Sequence, residues 1–97
     1  MELEELAGLF KALSDPTRLR LVELLARPEG EGGLCVQALA RRLGISQPAV
    51  SQHLATLRAV GLVIPQRRGY FVHYRLNRAR FDQWREGVQA VLGRDSL

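Results

Sequence analysis

Hydrophobic residues recur every three or four positions at both ends of the chain, which is the period of an amphipathic helix. The stripe near the start consists of Leu3, Leu6, Phe10 and Leu13. The stripe near the end consists of Phe81, Trp84, Val88 and Val91. The pattern therefore predicts a first and a last helix, each with one apolar face.

A second helix is predicted to begin directly after the first, because Asp15 and Pro16 are helix-start signals. The Asp15 carboxylate can accept hydrogen bonds from free backbone N–H groups, and Pro16 lacks the N–H that would go unpaired in the first turn. This helix is apolar around much of its girth, which is typical of the central helix of a core. Its apolar residues are Leu19, Leu21, Val22, Leu24 and Leu25.

The middle of the chain predicts two short helices joined by a tight turn. Residues 27–33 form a loop by composition, with one proline and three glycines, and a short strand is expected over residues 34–36. The next helical stripe stops at Gly44, a typical C-terminal cap. Ser46 can cap a fourth helix, whose apolar positions are Ala49, Val50, Leu54, Leu57 and Val60.

Beyond Gly61 the apolar period changes to two, which is the period of a strand. The alternating residues lie on either side of Arg67-Arg68-Gly69, and this predicts a β-hairpin with arginines at its tip. Pro65 cannot donate to a strand ladder, so its strand should be short or at an edge. With Asn77 capping the last helix, the chain is predicted to be one mainly α domain over residues 1–97, in the order α-α-(β)-α-α-β-β-α.

Two helices joined at a glycine and followed by a basic hairpin form a winged helix-turn-helix. In that fold the second helix of the pair enters the DNA major groove, and the wing touches the flanking backbone. Gln side chains can bond adenine bidentately, and Ser suits several bases. The residues predicted to contact DNA are Ser46, Gln47, Pro48, Ser51, Gln52 and His53 of the recognition helix, with Arg42, Arg58, Arg67, Arg68 and Tyr70 around it.

Charge is distributed unevenly along the chain, whose formal net charge is +4. Residues 1–33 hold seven acids and four bases, a net charge of −3, whereas residues 34–80 hold eight arginines and no acid. Segregated positive charge favours a polyanionic partner. Together with the helix-turn-helix pattern, it predicts double-stranded DNA as the partner. The alternative is a winged-helix module for protein–protein assembly, which would carry a more apolar or mixed-sign recognition face.

Other classes of function find little support. The longest apolar runs are only a few residues, far short of the roughly 20 that span a bilayer, and no signal peptide precedes them. We therefore expect a cytoplasmic protein with no membrane partner. The sequence has no phosphate-binding loop, no paired carboxylates in a polar pocket motif and no local Cys/His pair, so we expect neither an enzyme nor a cofactor.

Three blocks of the sequence match a known pattern in the right order. Residues 9–25 read LFKALSDPTRLRLVELL, residues 46–54 read SQPAVSQHL, and Arg67-Arg68-Gly69 is followed by Tyr74-Arg75-Leu76. They resemble the opening signature, the recognition helix and the wing of the ArsR/SmtB family of small bacterial winged-helix repressors. The resemblance covers nearly the whole chain. It implies a homodimer that represses transcription until a ligand lowers its DNA affinity, with the first and last helices forming the interface.

The two apolar stripes support a dimer independently, because a small monomer would struggle to cover both. The residues predicted to form the interface are Leu3, Leu6, Phe10, Phe81, Trp84, Val88 and Val91. The alternative is that both stripes close the core of a monomer. A dimer would hold two recognition helices about 34 Å apart, one turn of B-DNA, and would read a palindromic operator.

The inducer is left open by the sequence, since neither metal site of the resembled family is complete. Its Cys-x-Cys pair is reduced to Cys35 with Gln37, and its last-helix site would need histidines where Trp84 and Asp95 stand. One thiolate cannot hold zinc or three-coordinate arsenic without further ligands, so we predict no metal site. Cys35 is either a small hydrophobe or a thiol sensor. A small molecule, a thiol-reactive compound and a metal stay open as inducers.

A metal bound jointly by Cys35, His53 and His73 is conceivable from the sequence. A DNA contact for His53 and a packing role for His73 explain the two histidines more simply.

Overall fold

The computed structural model describes residues 1–93, and over this range the predicted order of elements is confirmed. A short 3-10 turn, Pro28–Gly30, lies in the loop predicted over residues 27–33. The regular elements are α1 (Leu3–Leu13), α2 (Pro16–Ala26), β1 (Leu34–Cys35), α3 (Val36–Leu43), α4 (Gln47–Ala59), β2 (Val63–Arg68), β3 (Phe71–Leu76) and α5 (Arg78–Leu92).

Side chains cap three of the helices at the predicted positions. Asp15 accepts a hydrogen bond from the backbone N–H of Arg18 at 3.0 Å, and Ser46 accepts one from Ala49 at 3.2 Å. Asn77 caps α5 in the same way. Gly44 ends α3 with a φ of 69°, a left-handed conformation that favours glycine. The turn between α3 and α4 therefore has the backbone geometry expected of a helix-turn-helix.

The core lies between α2, α3, α4 and the sheet, with α1 packed across it. α2 supplies its centre, as predicted, although Leu19 on this helix is 51% exposed and does not take part. The buried hydrophobic residues of the core are Leu9, Ala12, Leu13, Leu21, Leu24, Leu25, Leu39, Ala40, Val50, Leu54, Leu57, Leu62, Val63 and Leu76.

The three strands form an antiparallel sheet in the order β1-β3-β2. Pro65 lies in the edge strand β2, as its missing N–H predicted. The predicted turn is displaced: Arg67 and Arg68 still belong to β2, and the tip consists of Gly69 and Tyr70. Arg68 faces Phe71 across this two-residue turn, and Gly69 has a φ of 64°. Two-residue hairpin turns require positive φ, and glycine adopts it without strain.

The two terminal helices pack against each other. A Cβ added at Gly87 of α5 would lie 3.2 Å from Leu6 Cδ1, so the small residue permits the close approach of α1. The rings of Phe10 and Trp84 meet edge to face, with their centroids 5.5 Å apart. Among residues 1–93, no helix is both long and apolar enough to cross a membrane.

Candidate nucleic-acid interface and dimer face

The polar side chains of α4 and its cap form an exposed face opposite the core. Val50, Leu54 and Leu57 are at most 1% exposed and anchor the opposite side of the helix in the hydrophobic core. The predicted contact residues Ser46, Gln47, Pro48, Ser51 and Gln52 all lie on the exposed side. This face presents hydroxyl and amide groups, which are donors and acceptors suited to base edges in a major groove.

His53 lies beside that face rather than on it, and its predicted contact with DNA stays a prediction. Its side chain is only 24% exposed and turns toward the start of α2. His53 Nδ1 lies 3.2 Å from Arg18 Nη1 and 3.9 Å from Asp15 Oδ2. Arg18 in turn donates from Nε to the backbone oxygen of Ala12 at 2.5 Å. One guanidinium therefore joins the end of α1 to the middle of α4.

The Asp15 carboxylate at this junction has a pKa below its usual value. The main cause is the hydrogen bond from the Arg18 backbone N–H, with a smaller contribution from the charge of the Arg18 guanidinium. Each of these interactions favours the ionised form. Asp15 is therefore anionic at neutral pH, where it also lies at the positive end of the α2 dipole.

The wing carries cationic and aromatic side chains into solvent. Arg67 and Arg68 are exposed at the end of β2, and neither makes an ion pair within residues 1–93. Tyr70 at the tip is 98% exposed, and Phe71 is 55% exposed. Arg58, exposed near the end of α4, is likewise unpaired in the part of the chain that the structure describes. The wing and the end of α4 thus offer exposed, unpaired positive charge to a polyanion.

Other arginines of the acid-free segment are already bound within the protein. Arg42, predicted to contact DNA, forms an ion pair with Glu29, and this hydrogen bond and charge hold the pKa of Glu29 below its usual value. Arg78 donates to the Ala26 oxygen at 3.3 Å. Position in the acid-free segment is therefore a poor guide to which arginines are free.

Arg80 makes the largest number of these internal bonds. Its Nε donates to the backbone oxygen of Val60 at 3.0 Å, just after α4. Its Nη1 donates to Glu5 at 2.8 Å and to Gln83 at 3.0 Å. Arg80 therefore joins α1 and α5 to the end of α4. The local sequence contains no signal for this bridge, since Glu5 lies 75 positions away.

A cleft of about 340 Å³ separates the start of α4 from the wing. Gln37 and Gln47 lie on its helical side, and Tyr70, Phe71 and Tyr74 lie on the wing side. Its walls are thus polar on one side and aromatic on the other. This cleft lies between the two parts of the molecule that were predicted to contact DNA.

Cys35 is half-buried at the start of α3, beside the same cleft. It faces His73 across the β1–β3 ladder, and His73 Nδ1 is buried with no hydrogen-bond partner in the described part of the chain. No group of three or more His, Cys, Asp or Glu side chains among residues 1–93 could hold a metal ion. Asp95 stands where the last-helix metal site of the resembled family would need a histidine, and it lies outside the described residues.

The predicted dimer face divides into buried and exposed members. Leu3, Phe10 and Val91 are 70%, 47% and 56% exposed, so they leave a large apolar surface on α1 and α5. Phe81, Trp84 and Val88 are half-buried beside them. Leu6 differs, because it is only 4% exposed and already packs inside the protomer. Little of its surface is left for a second chain.

The helix pair α3–α4, its glycine turn and the hairpin after it define a winged helix-turn-helix domain. Residues 15–64 match the family model described as bacterial regulatory protein, arsR family. The chain therefore belongs to the arsR family of bacterial regulatory proteins. The matched region runs from the cap of α2 into β2, so it contains the Arg18–His53 contact as well as the helix-turn-helix.

The relatives of the chain include two regulators of arsenic resistance. The chain is 46% identical over 83 residues to the arsenic resistance transcriptional regulator ArsR1 of Pseudomonas putida, covering 86% of this chain and 59% of that protein. It is 49% identical over 69 residues to the arsenical resistance operon repressor of Escherichia coli, covering 71% of this chain and 56% of that protein. The chain thus spans less than two thirds of the length of these relatives.

Solved structures share the fold. An ArsR-like transcriptional regulator from Rhodococcus superposes with a TM-score of 0.80 at 33% identity, covering 91% of this chain and 79% of that one. The homodimeric winged helix-turn-helix DNA-binding domain Mb0332 from Mycobacterium bovis superposes with a TM-score of 0.73 at 31% identity, covering 93% of this chain and 80% of that one.

Proposed function

We propose that the protein is a sequence-specific transcriptional repressor that binds double-stranded DNA as a homodimer. The observation that carries the proposal is the exposed face of α4, which presents Gln47, Ser51 and Gln52 with no acid beside them. A carboxylate at this place would repel phosphates, and amide and hydroxyl groups can read base edges. The names of the two relatives, one a transcriptional regulator and the other an operon repressor, support the same conclusion.

The exposed face of α4 and the wing contribute different contacts to DNA binding. Gln47 and Ser51 read bases in the major groove, while Arg67 and Arg68 contact phosphates of the flanking backbone. The cleft lined by Gln47 and Tyr70 lies between these two proposed contact surfaces. Arg58 extends the phosphate contacts from the end of α4. Arg42 contributes less, because its guanidinium is bound by Glu29.

The apolar surface of α1 and α5 supplies the dimer contact. Leu3, Phe10 and Val91 are too exposed in one chain to belong to its core, and burying them against a second copy gains about 25 cal/mol for each Å² removed from water. The related domain from Mycobacterium bovis is homodimeric, which supports the same assembly. Two recognition helices then meet two half-sites of a palindrome, about one helical turn apart.

A binding titration tests this function. The wild-type protein is used to select duplexes from a random-sequence pool, and its affinity for the selected duplex is compared with that for a scrambled duplex at physiological salt. We expect a palindromic consensus and a preference of at least about 10³-fold for it. Equal affinity for both duplexes would refute sequence-specific binding and would favour the protein–protein module.

Regulation is a separate question, for which Cys35 is a candidate thiol sensor beside the DNA-facing cleft. An oxidant or thiophilic metal that modified this side chain would place bulk and charge next to Gln47. The test compares the wild type with Cys35→Ser in DNA release by a panel of oxidants, metals and chelators. Release that persists unchanged in Cys35→Ser would remove Cys35 from the mechanism and would favour a non-thiol ligand.

A further inference from the structure

Arg18 occupies a junction of three helices. Its Nε donates to the Ala12 oxygen in the last turn of α1, and its Nη1 lies 3.2 Å from His53 Nδ1 in the middle of α4. Its own backbone N–H is bound by the α2 cap Asp15. The residue is half-buried, so these bonds are partly protected from water. A single planar guanidinium thus fixes distances between α1, α2 and α4.

The contact with His53 also determines which ring nitrogen carries the proton. Arginine is always protonated and has only donors, so His53 Nδ1 must act as the acceptor. In the neutral imidazole the proton therefore lies on Nε2. Asp15 Oδ2 is the other charged group near Nδ1, but at 3.9 Å it is farther away than a hydrogen bond requires.

We propose that Arg18 is a positioning residue for DNA recognition, which holds α4 at a fixed angle to α1 through the Nδ1 acceptor of His53. The inference rests on the proposed function. α1 forms part of the proposed dimer face, so the α1–α4 angle sets the separation of the two recognition helices in the dimer. Arg18 thereby determines how strictly the protein reads the spacing between half-sites, without touching DNA itself.

The test uses two palindromic duplexes, one with the half-site spacing selected by the wild type and one with a single base pair inserted between the half-sites. We expect the wild type to prefer the native spacing by about tenfold or more, a difference of about 1.4 kcal/mol. Arg18→Gln should lose most of this preference. Arg20→Gln is the matched control, because it removes the same charge from an exposed position of the same helix.

Two further variants separate positioning from charge. Arg18→Lys keeps the positive charge but loses the planar fork that bonds Ala12 and His53 from two separate nitrogens, so it should lose most of the spacing preference, as Arg18→Gln does. His53→Leu removes the acceptor and so breaks the same link from the other side, while it leaves the Ala12 bond intact. The double variant should lose no more spacing preference than Arg18→Gln alone, because the two residues act as one unit.

The imidazole supplies a readout that a general loss of stability would not reproduce. The chain has two histidines, so the ¹⁵N signals of His53 can be assigned as those missing from His53→Leu. At a pH where the ring is neutral, wild-type His53 should show the Nε2–H tautomer alone. Arg18→Gln should show a mixture of both tautomers, while Arg20→Gln keeps the wild-type spectrum.

Three results would overturn the proposal. One is a wild-type spacing preference in Arg18→Gln. Another is full recovery in Arg18→Lys, which would mean that charge is sufficient. A third is a salt dependence of binding that falls by about one phosphate contact in Arg18→Gln, as expected of a residue that touches DNA. If the wild type itself selects no duplex, the proposed function fails instead, and the tautomer spectra still report whether Arg18 binds His53.

Discussion

The arginines of the wing and those of the terminal helices have the same charge but opposite roles. Arg67 and Arg68 extend into solvent without an ion pair in the described chain, whereas Arg80 is bonded to Glu5, Gln83 and the Val60 oxygen. The first group is available to a polyanion, and the second fixes the frame that carries α4. Net charge alone does not distinguish them; the bonds of each guanidinium do.

The same contrast holds for the hydrophobic residues of the two regions. In α4 the large apolar side chains Val50, Leu54 and Leu57 are buried within one chain, and the exposed side chains are polar apart from one proline and two alanines. On α1 and α5, Leu3 and Val91 stay exposed. One surface thus suits a hydrated, charged partner, and the other suits a second apolar surface. The following predictions test this division, in order of decreasing effect.

The largest effect is expected from a charge on the apolar face. Val91→Glu buries a carboxylate at the proposed interface, which is costly without a partner. We expect the protein to become monomeric and to lose about 100-fold or more in operator affinity, because two linked half-site contacts become one. Sedimentation and anisotropy titrations measure both changes. Ala26→Glu, at an exposed position outside α1 and α5, introduces the same charge and should leave the dimer intact.

A smaller loss is expected from the reading face. Gln47→Ala removes a group able to bond a base bidentately, at a cost of about 1–3 kcal/mol on the preferred duplex. Discrimination at one base position should relax, while affinity for scrambled DNA changes little. Titrations against a set of single-base variants would measure this. A uniform loss on every duplex would mean that Gln47 contacts the backbone.

The wing should contribute affinity without sequence preference. Arg67→Gln is expected to weaken binding to all duplexes alike and to reduce the salt slope by about one. Arg78→Gln is the comparison, since this guanidinium is bound to the Ala26 oxygen inside the protein. Titrations from low to high salt should leave the slope of Arg78→Gln close to wild type. Equal salt slopes for the two variants would contradict the view that unpaired arginines bind phosphates and internally bonded ones do not.

The smallest effect concerns the α2 cap. Because the pKa of folded Asp15 is lowered, its ionised form stabilises the fold above the unfolded pKa of about 4 and loses this effect as the pH falls through the folded value. Asp15→Asn keeps the cap but not the charge. Thermal unfolding between pH 7 and pH 3 should therefore show a smaller acid loss in Asp15→Asn. A loss equal to that of wild type would assign the acid sensitivity to other groups, Glu29 among them.

Local features of the fold were predictable from the sequence. Caps at Asp15, Ser46 and Asn77 and the glycine at position 44 depend on neighbours within a few residues, and all are confirmed. The hairpin was recognised from its period of two, but its turn lies about two residues later than expected. The arginine pair is followed by Gly69, and a two-residue turn starting at that glycine explains the displacement.

Features that depend on distant contacts were not predictable. His53 has the spacing of an exposed helix residue, yet Arg18, 35 positions earlier, draws it inward. Leu6 belongs to the same stripe as Leu3 and Phe10, but the small Gly87 opposite it lets it become buried. The bonds of Arg42 and Arg80 likewise join residues 13 and 75 positions apart. Periodicity predicts which residues share one face of a helix. Tertiary packing decides which of those residues stay exposed and unbonded.

Pro65 has a consequence for how the protein behaves at high concentration. It lies in β2 at the edge of the sheet, where unpaired N–H and C=O groups could recruit a strand from another molecule. Proline has no N–H to offer, and Arg67 and Arg68 on the same strand repel an identical neighbour. The edge that carries the wing arginines is thus also protected against intermolecular strand pairing, which disfavours aggregation through this edge.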